Sequence, residues 1–227
     1  MYQKRKELDQ KLNENLNNPL FQVYYKELIK TNEHTNLTSI TEESEVYYKH
    51  FYDSLILSKY LDLSRKTILD VGAGAGFPSL PLKIMFDDLK VTIVDSLNKR
   101  IRFLSKLSQK LGLDNVELIH SRAEELKRQN RYDIVTARAV AKLNILIELT
   151  LPFVKVGGYM IAYKSIHYQE ELNAAMNGIE LLGGLLERIE EYPISDDEKH
   201  VLIFIRKVKK TNLKYPRQFG IIKKQPL

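Results

Sequence analysis

From Thr67 onward the sequence predicts an α/β fold: a seven-stranded, mostly parallel sheet with crossover helices, preceded by a helical N-terminal extension. Three observations carry this reading. Short apolar runs alternate with stretches of helical periodicity, the pattern of strands joined by crossover helices. The first run, Ile68–Val71, passes straight into Gly72-Ala73-Gly74-Ala75-Gly76, a strand–glycine loop–helix unit. The last two runs are separated by only a short polar loop, Ser195–Lys199, so they are expected to pair antiparallel.

Taken in order, residues 1–62 form the extension. Leu8, Leu12 and Leu16 recur every four residues, and Phe21, Tyr24, Tyr25, Leu28 and Ile29 give a second amphipathic run after Pro19. Asn32–Thr41 is polar and reads as a loop, with Thr41 as N-cap of a third helix, Val46–Leu61. On that helix His50 and Asp53 are three apart and share a face. The core spans 63–208. Its strands are Ile68–Val71, Val91–Asp95, Val116–Ile119, Tyr132–Thr136, Tyr159–Tyr163, Leu186–Tyr192 and His200–Arg206. The intervening helices are Leu80–Phe86, Leu97–Leu111, a short one near Glu124, Leu143–Val154 and Tyr168–Leu182, with Pro78 in the first turn of the first. Residues 209–227 form a basic tail.

Composition narrows the chemistry. The 227 residues, 44% hydrophobic, suffice for one full core. There is no cysteine, which excludes a disulfide, a thiolate nucleophile and a cysteine-ligated zinc. The five histidines show no metal-ligand spacing. The N-terminus is too polar for a signal peptide and no long apolar run exists, so a cytoplasmic chain with no membrane association is expected. The net charge is +6, yet residues 206–227 hold eight basic and no acidic side chains, leaving −2 on the rest. A local excess of that kind points to a polyanionic partner, the alternative being a solubilising tail. Lys99, Arg102, Lys106 and Lys110 line one side of the Leu97–Leu111 helix, with Leu97, Ile101, Leu104 and Leu111 on the other. An exposed charged face is the default reading of that stripe, and a second line of phosphate contacts is the alternative.

The glycine loop sets the ligand. Glycine lets backbone N–H groups approach it closely, and the following helix favours an anionic group. Asp95 ends the second strand, 23 residues after Gly72, where a carboxylate accepts both ribose hydroxyls of an adenosine. Ala123-Glu124, after the third strand, faces the adenine edge. Ligands of open α/β sheets lie beyond the carboxyl ends of the strands, so these three loops converge on one adenosine site. The glycine spacing departs from the G-x-G-x-x-G of dinucleotide folds, no second substrate domain follows, and the sheet ends in an antiparallel pair. S-adenosylmethionine is favoured over a nicotinamide dinucleotide on these grounds. Without cysteine, attack through a pyrimidine carbon is disfavoured. The loop after the fourth strand, Thr136-Ala137-Arg138-Ala139-Val140, lacks the tetrad usual for exocyclic amines. A ring nitrogen such as guanine N7 needs no base, and Arg138 could donate to guanine O6, a phosphate or the cofactor, the alternative being a surface or helix-capping arginine.

Asn36-Leu37-Thr38, His50-x-x-Asp53-Ser54, Asp70-Val71-Gly72-x-Gly74-x-Gly76-Phe77-Pro78, Asp95-Ser96-x-x-Lys99-Arg100, Arg122-Ala123-Glu124-Glu125, Arg138-Ala139-Val140-Ala141, Lys164 and Tyr215-Pro216-Arg217 together resemble the bacterial small-subunit ribosomal RNA methyltransferase G family, also called glucose-inhibited division protein B. The resemblance covers nearly the whole chain, with Ser79 departing from the family's usual glycine. It implies a Rossmann-like class I fold and methyl transfer from S-adenosylmethionine to N7 of one guanine in the 530 loop of 16S rRNA. The substrate is expected to be 16S rRNA or a small ribosomal subunit precursor, with no metal, and the chain to act as a monomer. Gly72, Phe77, Ala123, Glu124 and Arg138 become expected cofactor contacts, with Asp95 at the ribose and Gly74 and Gly76 in the loop. His50, Lys164 and Arg138 are assigned to substrate handling. Lys99, Arg102, Lys106, Lys209, Lys210 and Arg217 are assigned to RNA. A nicotinamide-dependent oxidoreductase and a non-enzymatic RNA-binding assembly factor are the alternatives.

Overall fold

The computed structural model describes residues 10, 12–127, 129–195 and 198–227. Seven strands form one sheet: β1 (Thr67–Val71), β2 (Lys90–Asp95), β3 (Val116–His120), β4 (Tyr132–Arg138), β5 (Val154–Ser165), β6 (Gly184–Pro193) and β7 (Lys199–Lys207). Their order is β3-β2-β1-β4-β5-β7-β6. The pairs from β3 through β5 are parallel, and β7 runs antiparallel to both β5 and β6, as the short Ser195–Lys199 connection requires. Strand order reverses between β1 and β4, so the carboxyl ends of β1, β2 and β4 border a crevice.

The strands are legible because both faces are covered and side chains alternate. In β1, Ile68 enters one core and Leu69 and Val71 the other; in β7, Leu202 and Phe204 go one way and Val201, Ile203 and Ile205 the opposite way. Helices α1 (Pro19–Thr35), α3 (Ser79–Met85) and α4 (Asn98–Lys110) cover the first face, together with the run α2 over residues 43–59. Helices α5 (Leu143–Thr150), α6 (Gln169–Leu181) and α7 (Phe219–Lys224) lie on the second.

Several expectations change here. The division at residue 62 is not a break in packing. Phe21, Tyr24, Leu28 and Phe51 are fully buried in the same cluster as Ile68, Leu80 and Phe204. Each such side chain is worth about 1.5–3 kcal/mol in burial, which makes the N-terminal helices part of the core. Leu8 and residues 196 and 197 of the expected hairpin loop lie outside the described residues. Helix α1 runs through the expected loop as far as Thr35, and Asn32 then folds the chain back: its Oδ1 accepts from the N–H groups of Leu37 and Thr38. Glu42, not Thr41, caps α2, accepting from the Glu45 N–H. α2 also contains a π-helical stretch, Tyr47–Tyr52. Pro78 is the cap of α3 rather than inside it. Leu97 is the exposed cap residue of α4, and the buried face is built by Phe103, Leu104 and Leu107.

The C-terminal segment is folded. Lys207, counted with the basic excess, is buried, and its ammonium donates to the Leu151 and Leu182 carbonyls. Tyr215 and Ile222 are buried in the second core.

Candidate functional site

The glycine loop leaves β1 at Val71 and holds positive φ at Gly72 (+72°), Gly74 (+60°) and Gly76 (+103°). The three glycines answer different demands. A Cβ on Gly76 would meet the Tyr24 hydroxyl at 2.5 Å and Leu80 at 2.8 Å, so this glycine accommodates packing. Tyr24, from α1, donates its hydroxyl to the Ala75 carbonyl at 2.6 Å and pins the loop. A Cβ on Gly72 would meet Val140 at 2.8 Å. At Gly74 nothing lies within 4 Å of that position, which leaves an open cradle beside the backbone.

Asp95, at the end of β2, is 3% exposed and turned toward this loop. Its oxygens accept from the N–H groups of Gly74 at 3.3 Å and Leu97 at 2.8 Å, with Arg100 at 3.3 Å. A cleft of about 350 Å³ opens here, small but within the range of ligand sites. Gly72, Asp95, Ala123 and Glu124 all line it, so the three expected loops do converge; Leu149 and Phe219 join them. The donor set suits a nucleoside with a charged appendage: a fixed carboxylate for sugar hydroxyls, an open glycine backbone and an apolar strip.

Not every expected contact lines that cleft. Phe77 is buried under the loop, stacked on Tyr24 and on His50 with centroids 5.4 and 4.6 Å away. Arg138, from the end of β4, lies over the Phe77 ring and reaches α2, where it pairs with Asp53 at 2.6 Å and donates to the Lys49 carbonyl. Asp53 is 1% exposed, and its second oxygen accepts from Tyr192 at 2.7 Å and contacts His200 at 2.9 Å. Burial alone would raise its pKa, but His200, the Arg138 charge and Tyr192 outweigh that and hold it below the usual carboxylate range. Burial and the adjacent Arg138 push His50 down to about 4, so its ring is neutral near pH 7, at 2.8 Å from the Thr38 hydroxyl. Asp70 is fully buried beneath the loop; one oxygen accepts from the Ser79 N–H, the other has no partner, and burial raises its pKa to about 7.

Lys164 donates to the Ala141 carbonyl and pairs with Glu171 at 2.6 Å, while Glu171 also accepts from the Leu143 N–H. Lys164 thereby braces the loop after β4. Arg217 is engaged in a bidentate pair with Glu148, which is fully buried, so it anchors the C-terminal segment instead of facing solvent. Of the α4 stripe, Lys99 donates to the Thr35 carbonyl and Lys110 pairs with Glu27, both on α1. Arg102 and Lys106 are exposed beside them along a groove. Lys209 and Lys210, which follow β7, are exposed as well but do not line that groove. Asp53, Tyr192, His200, Glu148 and Phe219 are the residues missed as site residues by sequence reasoning. Only Asp53 had a local signal, its place three after His50.

No helix among the described residues is long and apolar enough to cross a membrane, and no group of three metal-ligating side chains occurs among them.

Residues 17–202 match the family model for rRNA small subunit methyltransferase G (GidB). Relatives named "Ribosomal RNA small subunit methyltransferase G" from Staphylococcus saprophyticus and Bacillus subtilis are 55% and 52% identical, over 91% of this chain and 89% of each relative. One from Streptococcus pyogenes is 48% identical over 91% of this chain and 90% of its own length. Among solved structures, M. jannaschii TYW2 in complex with AdoMet superposes with a TM-score of 0.59 at 18% identity, over 75% of this chain and 80% of that one. A SAM dependent methyltransferase from Aquifex aeolicus gives 0.58 at 18% identity, over 75% and 96%. These likenesses establish the Rossmann-like methyltransferase fold and set the nicotinamide alternative aside. The chain belongs to the ribosomal RNA small subunit methyltransferase G family, and S-adenosylmethionine is its cofactor.

Proposed function

We propose that the chain methylates N7 of a guanine in the 530 loop of 16S rRNA. The carrying observation is the cleft at the strand ends, lined by Gly72, the buried Asp95 carboxylate and the Ala123-Glu124 turn, with the open backbone at Gly74 joined to it through its hydrogen bond to Asp95. Asp95 would accept the ribose hydroxyls, the glycine loop would receive the amino-acid end, and Ala123 and Glu124 would border the purine. S-adenosylmethionine held there supplies an electrophilic methyl carbon.

The protein's part is alignment. Guanine N7 carries an in-plane lone pair and no proton, so the acceptor needs no general base. The surroundings agree with that: three donors hold Asp95, and Thr38 and Arg138 hold a neutral His50. Arg138, fixed by Asp53, supplies a cation at the end of β4 for a phosphate or for guanine O6. The exposed Arg102, Lys106, Lys209 and Lys210 are the candidate phosphate contacts.

The test is mass mapping of 16S rRNA from cells with and without the gene. One 7-methylguanosine in the 530 loop should vanish on deletion, return with the wild-type gene and stay absent with Asp95→Ala. An identical methylation map in both cells would overturn the reading.

A further inference from the structure

Phe219 stands at the start of α7, far in sequence from the strand ends, yet its ring lines the cofactor cleft with Ala123 and Leu149. Among the described residues lining the cleft it is the one aromatic side chain. Two contacts fix it. From the turn after β3, the Arg122 guanidinium lies over the ring at 5.3 Å. Two residues earlier, Arg217 grips the fully buried Glu148 through Nε at 2.9 Å and Nη2 at 2.6 Å, and its own N–H donates to the same carboxylate at 2.8 Å. Glu148 precedes Leu149 on α5, so the pair ties the segment that carries Phe219 to the helix that carries Leu149.

A purine is a flat aromatic body whose faces need apolar or aromatic walls. With Asp95 taking the sugar, the strip of Ala123, Leu149 and Phe219 is an apolar surface of the cleft, and the part of it that holds an aromatic ring. We propose that Phe219 forms a wall of the purine subsite, packing against the nucleobase of S-adenosylmethionine, and that Arg217 and Glu148 are positioning residues acting through it. The proposal rests on the adenosine site described above.

The chain contains no tryptophan, so Phe219→Trp places a single reporter at this wall. Titration with S-adenosylhomocysteine should quench its emission saturably, at the concentration where calorimetry reports binding. The Leu213→Trp variant, altered at a side chain 83% exposed on the same segment, should stay silent. Phe219→Ala should raise the Kd about tenfold, the scale of one lost stacking contact. Arg217→Ala should weaken binding similarly but add little in the Phe219→Ala background, whereas a merely structural role would add in full. A Kd for Phe219→Ala within twofold of wild type, or unmoved emission from Phe219→Trp while calorimetry still detects binding, would overturn the proposal. Absence of binding by the wild-type chain would overturn the cofactor reading and this proposal with it.

Discussion

Arg138 Nη1 lies 2.6 Å from Asp53 Oδ2, an ion pair that joins the end of β4 to α2. The other Asp53 oxygen meets Tyr192 on β6 and His200 on β7, so one carboxylate ties four elements together. Asp53→Ala leaves a guanidinium that is only 14% exposed without its counter-charge. Removing one partner of a buried pair costs about 3–5 kcal/mol, and the urea midpoint should fall accordingly. Asp53→Asn, which still accepts from Tyr192, should lose less. An unchanged midpoint for Asp53→Ala would mean that the pair contributes nothing net to the fold.

The two histidines beside this pair give opposite pH dependence. The folded-state pKa of His50 is depressed to about 4. Between about pH 6.5 and 4 the unfolded chain therefore takes up a proton that the folded chain refuses, and stability falls as the pH drops through that window. His200 is raised, chiefly by its hydrogen bond to Asp53. Its contribution is complete below its unfolded value and is lost as the pH rises through the folded one. His50→Gln should flatten the acid side of a stability–pH curve, and His200→Gln should flatten the neutral-to-alkaline side. Unchanged slopes in denaturation from pH 4 to 9 would contradict both assignments.

Asp70 makes a separate case. Buried with one oxygen unpartnered, its carboxyl holds its proton up to about pH 7, against an ordinary value of 3.8. A raised folded pKa gives stability that is complete below the unfolded value and declines as the pH rises toward 7. Asp70→Asn can keep the acceptor for the Ser79 N–H, and it should stabilise the free protein at pH 8 and remove that decline. A lower melting temperature for Asp70→Asn at pH 8 would show that the ionised carboxylate is favoured there.

RNA binding should separate the surface lysines from Arg217. Lys209, Lys210, Lys223 and Lys224 are exposed, whereas Arg217 is held by Glu148. Replacing the four lysines by alanine should flatten the salt dependence of RNA binding by a slope of about 3 and leave cofactor affinity unchanged. Arg217→Ala should lower the melting temperature. If the four-lysine variant loses cofactor affinity as well, those lysines support the folded segment.

The sheet was readable in advance because parallel strands covered on both faces are continuous apolar runs, and because Gly72 through Asp95 sit in one local unit. Helix ends were less readable: Leu97 continues the apolar spacing of α4, but it precedes the first turn and points to solvent. The supports of the site were not readable. Arg217 looks like any tail arginine until Glu148, 69 residues away, is brought to it. Lys164 and Arg138 carry charge suited to a nucleic acid, and only the fold shows that Glu171 and Asp53 hold them.

The glycine loop shows the same dependence on distant residues, and it sets the last prediction. Gly74 and Gly76 look equivalent in sequence, yet one faces open space and the other faces Tyr24, 52 residues earlier, and Leu80. An alanine at Gly76 adds a clash at 2.5 Å to a φ of +103°, a region closed to other residues. It should cost the fold about 3 kcal/mol or more, since the strained backbone alone accounts for about 1–3 kcal/mol. An alanine at Gly74 meets no atom within 4 Å, at a φ of +60° that L-residues enter for about 1–2 kcal/mol. Gly74→Ala should therefore fold with a small drop in melting temperature and bind S-adenosylhomocysteine more weakly, because the added methyl occupies the cradle. Calorimetry and thermal unfolding on the two variants decide the matter: Gly76→Ala should fail first in stability and Gly74→Ala first in affinity. Wild-type affinity in Gly74→Ala would mean that the open space beside that backbone is not where the ligand lies.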